Sequence, residues 1–223
     1  MSFDSFIKVE YEVYASTYSI KNKLPKLLNS KSMLGFDTET RSVYDKNTRE
    51  EAKKYLKTAD PYNVLRKQAL VVAESSGLSY PSIVRTTHFI FGETKDKSNV
   101  VVCDSEQKEM LVWKMIADYE GTFLVHNSLF DFKIMFQRLG RLPKNYIDTA
   151  LLAKCLVNHV NIWKAKTALK VLVGSYYDPK WSLMEDYEPD NLKKKSFMDY
   201  AATDGSAVVL LYELIQEMLE EQP

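Results

Sequence analysis

The sequence predicts an α/β fold, a mixed β-sheet flanked by helices, and three observations point there. At 223 residues the chain suits one well-buried core and is tight for two, since domains run about 100–200 residues. Strand patterns come early, strands and helices alternate in the middle, and helices close the chain, an order that packs helices on a shared sheet. Two adjacent strand patterns joined by a short polar stretch make an antiparallel pair, so the sheet is not purely parallel. A composition of 45% hydrophobic and 27% charged residues, with seven Gly and seven Pro, excludes a disordered, collagen-like or low-complexity chain.

Residues 6–14 (FIKVEYEVY) alternate apolar and polar as a half-buried strand does. Ser16 and Thr17 then cap a helix running to about Leu28, with Pro25 inside it as the site of a kink or a late start. Residues 32–36 read as a short buried strand that ends in Asp37-Thr38-Glu39-Thr40. From Arg41 to about Pro81 the pattern turns charged and helical, in two runs, the second opened by the N-cap chemistry of Asp60 before Pro61. Too few apolar residues remain there for a separate core, so 41–81 reads as a helical insertion into a single domain spanning 1–223.

Strand pattern returns at 83–91 and 99–103, joined by a polar 92–98 connection led by Gly92. Helices over 105–119 and 128–139, the second closed by Gly140, flank a short strand at 122–125. One more strand at 146–148 precedes helices near 149–157, 164–173 and 196–221, the last the longest and most amphipathic. Cys103 and Cys155, the only cysteines, make neither a disulfide framework nor a zinc site and suit a reducing compartment. With no basic flank ahead of an N-terminal apolar run, and no run of about 18 apolar residues, a cytoplasmic protein without signal peptide or membrane span is expected.

The chemistry lies in carboxylates. Asp37 and Glu39 stand two apart at the end of a buried strand, so their side chains share one face, and two neighbouring carboxylates repel unless a cation lies between them. Asp131 opens a helix just after the apolar Phe123-Leu124-Val125, in the run HNSLFD from His126. Tyr200 and Asp204, four apart, share a face of the last helix. Each signal has a plainer reading: DxE as a salt-bridged or capping pair, Asn127 as a helix cap, Tyr200 as a core aromatic with a wet hydroxyl.

Together, in order, FDTET at 36–40, HNSLFD at 126–131 and YAATD at 200–204 resemble the three exonuclease motifs of the DEDD superfamily. This is the group of 3′-to-5′ exonucleases that includes polymerase proofreading domains and RNase D. The resemblance implies a ribonuclease-H-like fold. One branch carries a histidine five residues before the final aspartate; that position here is Asp199, and Tyr200 places the chain with the tyrosine branch of polymerase I-type proofreaders and RNase D. His126 is then a packing neighbour rather than a ligand, and Asp148 caps the following helix.

The resemblance further implies two divalent ions, Mg²⁺ or Mn²⁺, held by Asp37, Glu39, Asp131 and Asp204. In that scheme Asp37 bridges both ions, Glu39 and Asp204 complete the site of the one that activates water, and Asp131 supports the second. Tyr200 orients the attacking water, and Glu39 has an alternative role at the terminal 3′-hydroxyl. Thr38 and Thr40 offer backbone groups to the terminal nucleotide, while Asn127 and Phe130 stand on the substrate side, Phe130 by packing rather than stacking. The implied reaction releases nucleoside 5′-monophosphates from single-stranded DNA 3′ ends, in replication proofreading or DNA trimming. RNase D-like action on RNA and a catalytically silent interaction module are the alternatives. With nothing after Pro223, the expectation is a free-standing enzyme or the proofreading partner of a separate DNA polymerase subunit, an arrangement that suits a compact viral genome acting in a host cell.

A formal net charge of zero argues at first against a nucleic-acid binder, but it averages an uneven chain. Residues 131–180 carry nine bases against three acids, and 182–223 carry ten acids against three bases. A nuclease needs acids for metal ions and bases for phosphates, and these cancel in a total. Modest, salt-sensitive substrate affinity is the expectation.

Overall fold

The structure, a computed structural model, describes residues 7–42, 84–156, 168–184 and 195–220. The helical insertion expected over 41–81 lies outside the described residues except for its first two positions, Arg41 and Ser42, which are strand. The elements are β1 (Glu10–Tyr14), α1 (Thr17–Ser30), β2 (Met33–Ser42), β3 (Val84–Thr94), β4 (Lys97–Val102), α2 (Glu106–Asp118), β5 (Thr122–Val125), α3 (Leu129–Leu139), β6 (Asn145–Asp148), α4 (Thr149–Leu156), α5 (Leu169–Tyr176), a 3₁₀ turn at Pro179–Met184 and α6 (Lys195–Glu220).

They form a six-stranded sheet in the order β1-β4-β3-β2-β5-β6. β3 is antiparallel to both β2 and β4, whereas β1 runs parallel to β4 and β5 runs parallel to both β2 and β6. Five carboxyl ends therefore share one edge of the sheet, where loops and helix starts converge. This is the mixed, helix-flanked α/β sheet the sequence predicts.

Local chemistry accounts for the element ends. Ser16 and Ser19 form a reciprocal capping box at the start of α1, which continues through Pro25 rather than starting after it. Ile20, Leu24, Leu27 and Leu28 of that helix are buried, and this packing holds the turn despite the proline's missing donor. Gly140 ends α3 at φ 69°, a left-handed conformation that glycine adopts without strain. The β3–β4 hairpin is tighter than 92–98, because both strands extend into it. α5 runs from Leu169 to Tyr176, past the end of the helix expected over 164–173, whose 164–167 part lies outside the described residues, and the 3₁₀ turn beyond it has no counterpart among the expected elements.

The two sheet faces pack differently. Phe36, Phe89, Phe91, Phe123 and Val125 meet α1, α2 and α3, where Trp113, Ile116 and Phe132 close a dry aromatic core. The ring of Phe36 alone lies 5.1–6.2 Å, centre to centre, from those of Phe91, Trp113, Phe123 and Phe132. On the other face α6 lies with its backbone on the sheet: a Cβ on Gly92 would come within 2.1 Å of the Gly205 carbonyl oxygen, and one on Gly35 within 2.4 Å. Only glycine at these positions admits the helix so closely, and the residue beside Gly205 is Asp204. Among the described residues no helix is long and apolar enough to cross a membrane.

Candidate active site

β2 sorts its residues by alternation. Phe36 enters the aromatic core, whereas Asp37 and Glu39 share the face that turns toward α6. The strand runs on to Ser42, beyond the end expected at Phe36, so both acids lie in paired backbone. Register shifts between Glu39 and Thr40, and the residue passed over on β3, Thr87, donates its hydroxyl to the Glu39 carbonyl at 3.1 Å. The bulge ends the acidic pair, since a register shift re-aims the side chains beyond it.

Close approach of α6 completes a cluster: one carboxylate oxygen each from Asp37, Glu39 and Asp204 lies within 4.8 Å of the others. Asp131 enters from α3 and is 1% exposed, with the Thr38 hydroxyl donating to its Oδ1. Thr38 thus spends its side chain on orienting an acid. Tyr200 lies one turn before Asp204 and donates its hydroxyl to that carboxylate.

Asp148 does more than cap α4, where the Ala150 amide reaches it at 2.9 Å. It also accepts from the backbone amides of Asn127 at 3.1 Å and Ser128 at 2.8 Å, and from the Ser128 hydroxyl at 2.8 Å. These bonds grip the loop before α3, in which Asn127 has φ 64°, a left-handed value uncommon outside glycine. Burial works against the Asp148 charge, but the bonds from Ser128, Asn127 and Ala150 outweigh it and hold the carboxyl below its ordinary range. His126 packs beside the loop, its Nδ1 2.9 Å from the Thr149 hydroxyl.

Asp37, Glu39 and Asp204 line a cleft of about 300 Å³ with Thr38, Phe130 and Tyr200, whereas Thr40 and Asn127, expected on the substrate side, are not on its walls. Asn127 holds a left-handed backbone with its amide bonded to Asp148, and Thr40 lies past the bulge. Ser128 rather than Asn127 occupies the cap position of α3, with no side-chain cap bond. One charged cleft residue has no counterpart in the motifs. Lys170, 6% exposed on α5, places Nζ 2.7 Å from Asp204 Oδ1 and 3.5 Å from the centre of the Tyr200 ring. Its signal in the sequence is a lysine on the face of a helix otherwise buried through Leu172 and Val173.

The electrostatics favour a cation. Burial, then the charges of Asp131, Asp204 and Glu39, pushes the Asp37 carboxyl well above its ordinary value, with Lys170 opposing. Burial and Asp204 raise Glu39 to about 8, and burial raises Asp131 to about 7 despite the Thr38 bond. Asp204 is raised by burial even with Lys170 and Tyr200 beside it. Buried acids crowded in this way hold protons at neutral pH unless positive charge replaces them. The donors are all oxygen, which suits a hard divalent ion such as Mg²⁺ or Mn²⁺, so the residues present fit the group.

Residues 74–220 match the family model of the 3′-5′ exonuclease named for DNA polymerase A. The chain belongs to that 3′-5′ exonuclease family. The match contains Asp131, Tyr200 and Asp204 and begins after Asp37 and Glu39, which the fold brings beside Asp204. No curated protein matches the sequence.

Among solved structures, NrnC of Brucella melitensis bound to pGG is 14% identical, with a TM-score of 0.55 over 96% of this chain and 82% of that one. The same protein with bound Mg²⁺ has a TM-score of 0.55 at 14% identity, over 96% of this chain and 83% of that one. RNase D of Escherichia coli, an exoribonuclease involved in structured RNA processing, is 12% identical, with a TM-score of 0.59 over 95% and 46%. The catalytic core of RRP6 from Trypanosoma brucei is 13% identical, at 0.60 over 99% and 49%. These likenesses establish the fold and agree with the DEDD resemblance.

Proposed function

We propose that this exonuclease is a divalent-metal-dependent enzyme that trims single-stranded DNA from the 3′ end to nucleoside 5′-monophosphates, with Asp37, Glu39, Asp131 and Asp204 holding two ions. The observation that carries the reading is the convergence of three carboxylates within 4.8 Å, with a fourth, Asp131 of α3, buried, raised in pKa and bonded to Thr38 between two of them. When bound, such ions lower the pKa of a water and stabilise the leaving oxygen of an in-line displacement.

The protein's own contribution is placement. Asp37 feels the charges of both Asp131 on α3 and Asp204 on α6, Glu39 and Asp204 meet beside the glycine contact, and Thr38 fixes the Asp131 rotamer. The Tyr200 hydroxyl keeps its proton, since burial and the surrounding carboxylates raise its pKa, and so it orients a nucleophilic water as a donor or through Asp204. Phe130 walls the cleft by packing on the core. A volume of about 300 Å³ is at the lower end of ligand pockets and admits one terminal nucleotide rather than a duplex.

The DNA reading rests on the family named for DNA polymerase A. A second reading, RNA, is supported by the similar solved structures, of which one is an exoribonuclease and another holds pGG. Matched 5′-labelled DNA and RNA oligonucleotides, incubated with Mg²⁺ or with EDTA, decide both points. Ladders shortening from the 3′ end only with Mg²⁺ are expected, faster on DNA. Faster loss of RNA transfers the enzyme to the second reading, and no shortening of either makes it a silent module. Neutral net charge with bases and acids in separate segments supports delivery of 3′ ends by a separate polymerase, which co-purification tests.

A further inference from the structure

We propose that Lys170 is a working member of this active site: its ammonium holds Asp204 and Tyr200 in place and receives the scissile phosphate of the terminal nucleotide. The inference rests on the exonuclease reading of the cleft. Three observations carry it.

The first is burial. At 6% exposure, with Nζ 2.7 Å from Asp204 Oδ1, Lys170 forms a buried ion pair. Such pairs contribute little stability compared with well-packed apolar side chains, because desolvation offsets the attraction. A lysine at this position, on a helix face shared with buried Leu172 and Val173, is accounted for by the cleft rather than by the core.

The second is direction. An ammonium has three N–H donors. Among the described residues, its contacts are the Asp204 carboxylate and the face of Tyr200, 3.5 Å to the ring centre. Both partners are motif residues one helical turn apart, so one cation fixes the relative position of two side chains that must act together. These two contacts do not use all three donors, and Lys170 lines the cleft with Asp37 and Glu39.

The third is charge balance. Two divalent ions, if bound, would balance the four ionised acids Asp37, Glu39, Asp131 and Asp204 and leave the charge of a phosphodiester to be met by the protein. Among the described residues Lys170 is the lysine lining this cleft, and it would make the loaded site positive by one unit.

The test compares Lys170→Met, Lys170→Gln and Lys170→Arg with the wild type. Single-turnover release from a DNA oligonucleotide in saturating Mg²⁺ is expected to fall about 100-fold in Lys170→Met, the loss typical of one preorganised donor, with partial recovery in Lys170→Arg. Binding of thymidine 5′-monophosphate in Mg²⁺, measured by calorimetry and needing no turnover, should weaken about tenfold in Met and Gln variants, as removal of a charged hydrogen bond does. A purely structural ion pair shifts the melting temperature and leaves nucleotide affinity alone. Rates and affinities within about threefold of wild type in a folded Met or Gln variant, far short of the loss of a preorganised donor, overturn the inference. Inactivity of the wild type on every strand overturns the exonuclease reading instead, while the nucleotide titration still reports on Lys170. If the methionine variant does not fold, the glutamine variant, which keeps a polar stem, carries the same comparison.

Discussion

The two faces of β2 are built on opposite terms. On one, Phe36 is fully buried among four aromatic rings, and each contact lowers the free energy of the fold. On the other, one residue further along, Asp37 faces Glu39 and Asp204, and each contact raises it. A single extended strand thus carries stability on one face and, in the proposed reading, the catalytic acids on the other. The difference teaches that the acidic face is sustained by the aromatic face, and the two should separate cleanly under mutation.

The largest expected separation is chemical. Asp37→Asn or Asp204→Asn should lower 3′-end release by at least about 10³-fold, as loss of a preorganised electrostatic group does, while raising the stability of the metal-free protein by roughly 0.5–2 kcal/mol because a repelling charge is removed. Rate measurements beside urea unfolding check both halves. An active, destabilised Asp37→Asn would mean that the two faces share one purpose. Phe36→Ala should do the reverse, costing about 3–5 kcal/mol of stability for a buried aromatic, with residual activity in the fraction that remains folded.

A subtler way to sharpen the contrast is pH. Glu39 moves from 4.5 to about 8 on folding, and Asp131 from 3.8 to about 7, both mainly by burial. The folded state therefore binds more protons than the unfolded one across that window, and stability falls as pH rises through it. Below about 4.5 both states are protonated at Glu39; above about 8 the fold carries the full repulsion. In EDTA the melting temperature should drop from about pH 5 to about pH 8, and millimolar Mg²⁺ should flatten or reverse the drop. The same slope in Glu39→Gln/Asp131→Asn as in wild type would assign it to groups elsewhere.

How much of the molecule is legible in its sequence divides along the same line. The apolar run at 32–36 announces the strand, and the two-residue spacing of Asp37 and Glu39 puts both on one face, because side-chain period is local. The motif spacing puts Asp131 and the Tyr200/Asp204 pair on helices, and helices stand there. What escapes is non-local. The continuation of β2 to Ser42 depends on β3 pairing with it from across the intervening segment, and the bulge at Glu39/Thr40 depends on Thr87. Asp148 reads as a cap from its neighbours, yet its grip on Ser128 reaches back 20 residues along the chain. Lys170 carries no motif at all, since its meaning comes from Asp204 and Tyr200, which only packing brings near it.

The smallest effect tests how far the acidic face extends. Tyr200 is wedged between Lys170 against its ring and Asp204 at its hydroxyl, so the ring position is set by packing and the cation while the hydroxyl adds one hydrogen bond. Tyr200→Phe keeps the ring and loses the bond, worth about 0.5–1.5 kcal/mol, so the rate should fall about tenfold at most. Removal of the hydroxyl also removes a donor that favours ionised Asp204, so the Mg²⁺ concentration needed for half-maximal rate should rise in the same variant. A loss as deep as that of Asp37→Asn would make the hydroxyl a direct participant in the chemistry rather than a guide for water. An unchanged rate and Mg²⁺ requirement would move Tyr200 to the structural side of the strand's division, leaving Lys170 and the four acids to do the orienting.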